Sequence, residues 1–134
     1  MVRGVVAVLT GAVVWTIGFY ALATALAQLW PDYAIHARQW LKEGAFTFTP
    51  PMACCNLALW ALAEAGGGWV TAKISGRRAA VWALAGLIAI YLAVIHLVMS
   101  WPLFPWWYNL GVVIPALPAV LLGSSLASPA SADA

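Results

Sequence analysis

Glu64 is the residue of this chain whose chemistry depends most on its surroundings. It is an acid lying inside the apolar run Met52 to Ala72. If Ala72 marks a membrane boundary, the carboxyl lies eight residues, or about 12 Å, into the hydrocarbon. A charged carboxylate there costs about 2.5–3.5 kcal/mol on insertion scales, so the neutral acid is the expected form. Two roles follow for a neutral intramembrane acid: an interhelical hydrogen bond, or a proton-sensitive group in a relay or ion path. For the first role, the same depth on the last apolar run falls near Pro115 and Pro118, whose rings free the carbonyls of Gly111 and Ile114 from their usual helical donors. Glu64 is expected to reach one of these carbonyls. For the second, a relay ordinarily has a further acid or base at similar depth, and none is present.

Asn56, His96 and Asn109 come from three different apolar runs at similar depth near one boundary, and are expected to meet in one polar cluster. With a single His the cluster does not amount to a metal site, which needs three or four ligands. Haem ligation lacks a paired intramembrane His, because His36 falls in a connector. No metal or cofactor is expected. Asn56, Trp60, Glu64, Gly67 and Thr71 recur at steps of four or three, which places them on one helical face. No nucleophile, base and orienting acid can be assembled, and the glycines of Gly66-Gly67-Gly68 follow no strand, which excludes a phosphate-binding loop. The rims offer a lipid or quinone enzyme only Asp32, His36, Lys42 and Glu43. The chain is therefore expected not to be an enzyme.

Cys54-Cys55 resembles the vicinal pair of membrane carriers of mercuric ion, and a four-span bundle with cysteines resembles the quinone-linked thiol oxidases. Those resemblances imply thiol transfer chemistry. The chain departs from both, having neither C-x-x-C spacing nor a second pair to pass metal or electrons onward. Adjacent helical residues also point about 100° apart. Small apolar filler is the expected role of both thiols.

The elements that must position these residues follow from composition. With 65% apolar and 7% charged residues, against about 25% charged in soluble domains, the chain takes lipid as its solvent and partner. A span needs about 20 apolar residues, and four runs qualify: 4–30, 52–72, 79–101 and 106–126. In lipid each must satisfy its own backbone groups, which selects helices. The expected fold is all-α, a single bundle of four transmembrane helices over residues 1–126, with 127–134 a flexible tail. Lys73, Arg77 and Arg78 form the densest basic cluster beside a boundary, so the turn they occupy is expected to be cytoplasmic. Arg3 agrees. Both termini are then expected on the cytoplasmic side of a plasma (bacterial inner) membrane, with the connector 31–50 on the outer side. A formal charge of +2, with basic residues scattered between segments, gives no support to nucleic-acid binding.

The N-terminal run ending in Ala25-Leu26-Ala27 has the look of a secretory signal. It exceeds the roughly 7 to 15 apolar residues of such signals, and Gly4, Gly11, Gly18 and Ala25 repeat every seven residues, so it is read as a span that packs through small residues. Pro31-Asp32 and Gly44 bound a short amphipathic helix, apolar at Tyr33, Ala37, Trp40 and Leu41, expected at the headgroup level between spans 1 and 2. Trp101 to Tyr108 concentrates aromatics in the last turn as an interfacial belt. Gly66-Gly67-Gly68 weakens its helix below Glu64 and is a candidate hinge. The expected function is a non-enzymatic interaction or accessory subunit, self-associating or docked in a larger membrane complex. The alternative is a small proton-coupled transporter or channel-like protein using Glu64.

Overall fold

The computed structural model describes residues 2–44 and 46–127, and among these all regular structure is helical. The chain forms α1 (Val2–Leu29), α2 (Pro31–Glu43), α3 (Pro50–Ser75), α4 (Arg78–Ala93, continued by a π-helical stretch Val94–Met99) and α5 (Trp106–Ala127). Three helices are long and apolar enough to cross a membrane: α1, α4 with its π-helical end, and α5. The chain is thus a membrane protein by the length and composition of its helices. At 26 residues α3 has the length, but Asn56, Glu64 and the three glycines lower its hydropathy and keep it out of that group.

The breaks between helices are set by residues that cannot continue a helix. Gly44 and Gly76 adopt φ of 65° and 62°, and their N–H groups close the last turns of α2 and α3 onto Trp40 and Ala72. Only glycine takes this left-handed conformation without steric cost. Pro31 and Pro50 open α2 and α3 in first-turn positions, where a missing N–H is harmless. Pro115 and Pro118 sit inside α5 without ending it.

α3 is the hub, packing on α1, α4 and α5. Its contacts with α1 run antiparallel, from Thr71 against Ala7 through Gly67 against Gly11 to Ala63 beside Gly18. Those with α5 run parallel, from Asn56 against Tyr108 and Leu57 beside Gly111 to Gly68 against Val120. At one end the Arg3 Nε–H donates to the Ile74 carbonyl at 2.6 Å, so the start of α1, the α3–α4 turn and the end of α5 lie together. Leu84, Ile88 and Leu92 of α4 and Val112, Ala116 and Val120 of α5 join one core shared with α1 and α3, with no exposed surface to speak of. Outward, Val2, Val6, Leu9, Val13, Ile17 and Tyr20 run exposed along α1, as Ile90, Val98, Ile114 and Leu122 do on α4 and α5.

Close approach is concentrated at glycines. A Cβ on Gly11 would strike Thr71 Oγ1 and come within 2.9 Å of the Gly67 carbonyl, and one on Gly67 would lie 2.8 Å from the Gly11 carbonyl. Gly68 and Gly123 form the corresponding seam between α3 and α5, the first against the Val120 backbone and the second against that of Ala65. The seven-residue stripe therefore packs only at its centre: Gly11 and Gly18 meet α3, whereas Gly4 meets nothing and Ala25 is exposed. The glycine triplet is not a break. α3 is α-helical throughout, and Gly67 and Gly68 admit one neighbouring helix each. Of the tail expected at 127–134, Ala127 is instead the last residue of α5 and is buried, and 128–134 lie outside the described residues.

Candidate functional site

Glu64 has no exposed surface, and neither carboxylate oxygen has a hydrogen-bond partner. One turn away on α3 stand Trp60 on one side and the Gly67/Gly68 pinch on the other. The hub position explains the burial, since α3 is the helix with neighbours on most sides. The expected bond from Glu64 to the freed carbonyl of Gly111 or Ile114 is absent. α5 keeps its helical course through Pro115 and Pro118, and its seam with α3 is set by Gly68 and Gly123 rather than by the acid. Depth arithmetic placed Glu64 level with those prolines but could not fix the rotation of either helix.

Toward the opposite end from Arg3, the polar side chains expected to form one cluster form two adjoining ones. The Asn56 Nδ2 donates to the Tyr33 hydroxyl oxygen at 2.6 Å, and the Tyr108 hydroxyl donates to Asn56 Oδ1 at 2.6 Å. Separately, His96 Nδ1 lies 3.1 Å from Asn109 Oδ1, while Asn109 Nδ2 donates to the Phe104 carbonyl at 3.3 Å. An amide oxygen only accepts, so this orientation requires the proton of a neutral imidazole on Nδ1 and leaves Nε2 as an acceptor. Tyr108 joins the two clusters, its ring 6.2 Å from His96 and its neighbour in sequence being Asn109. Asn56, His96 and Asn109 are all buried, and each uses polar atoms in these bonds.

Two of the partners were not among the polar candidates. Tyr33 counted only as part of the apolar face of α2, yet it is buried and its hydroxyl reaches α3. Burial raises its pKa above the ordinary tyrosine value, with the Asn56 hydrogen bond opposing the shift. Tyr108 counted as belt aromatic. Of the run 101–108, Trp101, Leu103, Trp106 and Trp107 do face outward, but Phe104 and Tyr108 turn in. There they meet Phe46, whose ring lies 4.9 Å from Tyr108 and 5.6 Å from Phe104, while Phe48 stacks on Tyr33 at 5.3 Å. The segment 46–49 thus tucks beneath α2, and the two together cover this end of the helices. The π-helical turn Val94–Met99 carries His96. It adds a residue to the turn and rotates the ring toward α5, a feature no proline or glycine in the sequence announces.

Comparison with protein-family models, with curated proteins and with solved structures gives no match. The residues alone carry the functional reading.

The described residues include no group of three or more His, Cys, Asp or Glu placed to hold a metal ion. Cys54 is exposed, Cys55 is partly buried, and both are free thiols. A groove of about 200 Å³ lined by Trp15, Thr16, Phe19, Tyr20, Trp60 and Tyr91 lies where α1, α3 and α4 meet beside this level. Phe19 stacks on Trp60 at 3.8 Å, and the buried Trp15 Nε1 has no acceptor.

Proposed function

We propose that the chain is a non-enzymatic integral membrane protein of four spans, with α3 the central span, α2 lying at the outer headgroup level, and both termini cytoplasmic. Its role is that of an interaction or accessory subunit, self-associating or seated in a larger complex of a bacterial inner membrane. What supports the spans is packing: α3 runs antiparallel to α1 from Ala7–Thr71 to Gly18–Ala63, so whatever depth α1 crosses, α3 shares. Its lower hydropathy fits a helix screened from lipid by three others. The basic residues Arg3, Lys73, Arg77 and Arg78 gather at the same end, as the positive-inside rule requires of a cytoplasmic face.

The observation that carries the role is the direction of the side chains. Asn56, His96 and Asn109 spend polar atoms on internal partners, whereas α1 presents a continuous apolar face from Val2 to Tyr20. Chemistry points inward, and the outward surface suits lipid or another apolar helix. A second reading, a proton-coupled conduit, is favoured by one fact: both Glu64 oxygens are unpartnered, so the acid is not spent on a structural bond.

Reconstitution of the full chain separates the two. The subunit role predicts a discrete oligomer or complex in detergent that Glu64→Gln leaves intact, and no proton flux above that of empty liposomes with either form. A flux present in the native chain and abolished by Glu64→Gln would replace the subunit reading with the conduit.

A further inference from the structure

At the basic end a cavity of about 430 Å³ opens between the C-terminus of α3, the N-terminus of α4 and the C-terminus of α5. Its size falls in the range of small-molecule sites, roughly 300–1,000 Å³. The polar part of its lining is Arg77, Arg78, Ser124 and Ser125, and the apolar part includes Val81 and Leu121, with Trp82 beside them. Both arginines are exposed. Of the acids in the described residues, Asp32 and Glu43 belong to α2 at the far end and Glu64 is in the core, so no carboxylate among the described residues lies beside the guanidinium groups. α4 begins at this cavity without a side-chain cap on its first turn, and its positive dipole end adds to the field. Ser75 Oγ accepts from the Arg77 N–H at 3.2 Å, which holds the turn that presents the arginines.

We propose that this cavity binds the phosphate of an anionic phospholipid. Paired guanidinium groups match phosphate oxygens in fork geometry, and a basic pocket between helices at the cytoplasmic boundary is the expected place for a lipid headgroup. The mixed lining selects a lipid over a soluble phosphate ester. Val81, buried in the core, and Leu121, half-buried against it, give the pocket an apolar inner wall, which suits the glycerol and first acyl carbons of a lipid. Trp82, half exposed, stands where an interfacial aromatic belongs. The inference needs only that this end lie at headgroup level, and it holds for either functional reading.

The test uses the full chain in neutral detergent, with bound lipid read by native mass spectrometry. Phosphatidylglycerol is expected to be retained over phosphatidylcholine. An arginine near such a surface contributes a factor of about five, so Arg77→Gln with Arg78→Gln is expected to lower retention roughly 25-fold. Ser124→Leu, which fills the cavity without changing charge, is expected to lower it as well. Arg3→Gln with Lys73→Gln removes the same charge outside the cavity and is expected to leave most of the preference. Equal loss in the two double variants would overturn the site, as would full retention in Ser124→Leu. Displacement of the lipid by millimolar inorganic phosphate would reassign the cavity to a soluble phosphate and overturn the lipid proposal.

Discussion

Gly123→Leu is expected to cost at least about 3 kcal/mol, the upper end of the range for overpacked cores, and to prevent α5 from seating on α3. The obstructing atoms are the carbonyl and Cα of Ala65, which are backbone and cannot rotate away. Gly68→Leu is expected to do the same from the other side, against the backbone of Val120. Membrane helices lack a hydrophobic drive toward one another and depend on such close van der Waals contact, so little else would compensate. The neighbouring Gly66 supplies the control. A Cβ there meets nothing within 4 Å, and Gly66→Ala is expected to gain about 0.5–1 kcal/mol from reduced chain entropy. Thermal unfolding in detergent, followed by the fluorescence of the nine tryptophans, measures all three. Equal tolerance of Gly123→Leu and Gly66→Ala would show that the seam is not where the structure puts it.

Glu64→Met is expected to stabilise the protein by about 1–3 kcal/mol, the cost of a buried polar group without a partner. The side chains are similar in length, the site is closed to solvent, and the thioether demands no hydrogen bond. Glu64→Gln keeps an unpartnered polar group and is expected to gain much less. The comparison has a functional edge, because unsatisfied buried groups persist where function requires them at the expense of stability. A stabilised Glu64→Met that has lost proton flux would assign the acid to the conduit reading. A Glu64→Met destabilised by more than about 1 kcal/mol would mean that the carboxyl is bonded in the native protein, contrary to the structure.

Helix boundaries were legible because specific residues set them. Pro31, Gly44 and Pro50 stop or start the chain where their backbone chemistry demands it, and α2 ends at the residue before Gly44 as expected. The polar level of Asn56, His96 and Asn109 followed from counting, and His96–Asn109 is the direct contact it anticipated. The inward face of α3 was legible too, since Asn56, Glu64, Gly67 and Thr71 are all buried; which neighbour each of its residues meets was not. Depth arithmetic could not show that Glu64 makes no bond to the α5 carbonyls, nor that Asn56 takes tyrosines for its partners. The run 52–72 qualified as a span by length and composition, whereas α3 falls below α1, α4 and α5 in hydropathy; a helix packed on all three of the others needs less apolar character than one facing lipid.

Whether α3 crosses the membrane is decided by the sidedness of the residues that flank it. With Cys54 and Cys55 replaced by alanine, single cysteines at Asp32 and Lys73, both exposed, are offered a membrane-impermeant maleimide in sealed vesicles of one orientation. A crossing α3 puts Asp32→Cys and Lys73→Cys on opposite faces, so that only one of them reacts until the vesicles are opened. Reaction of both from the same face would mean that α3 does not span, and the four-span bundle would fall with it.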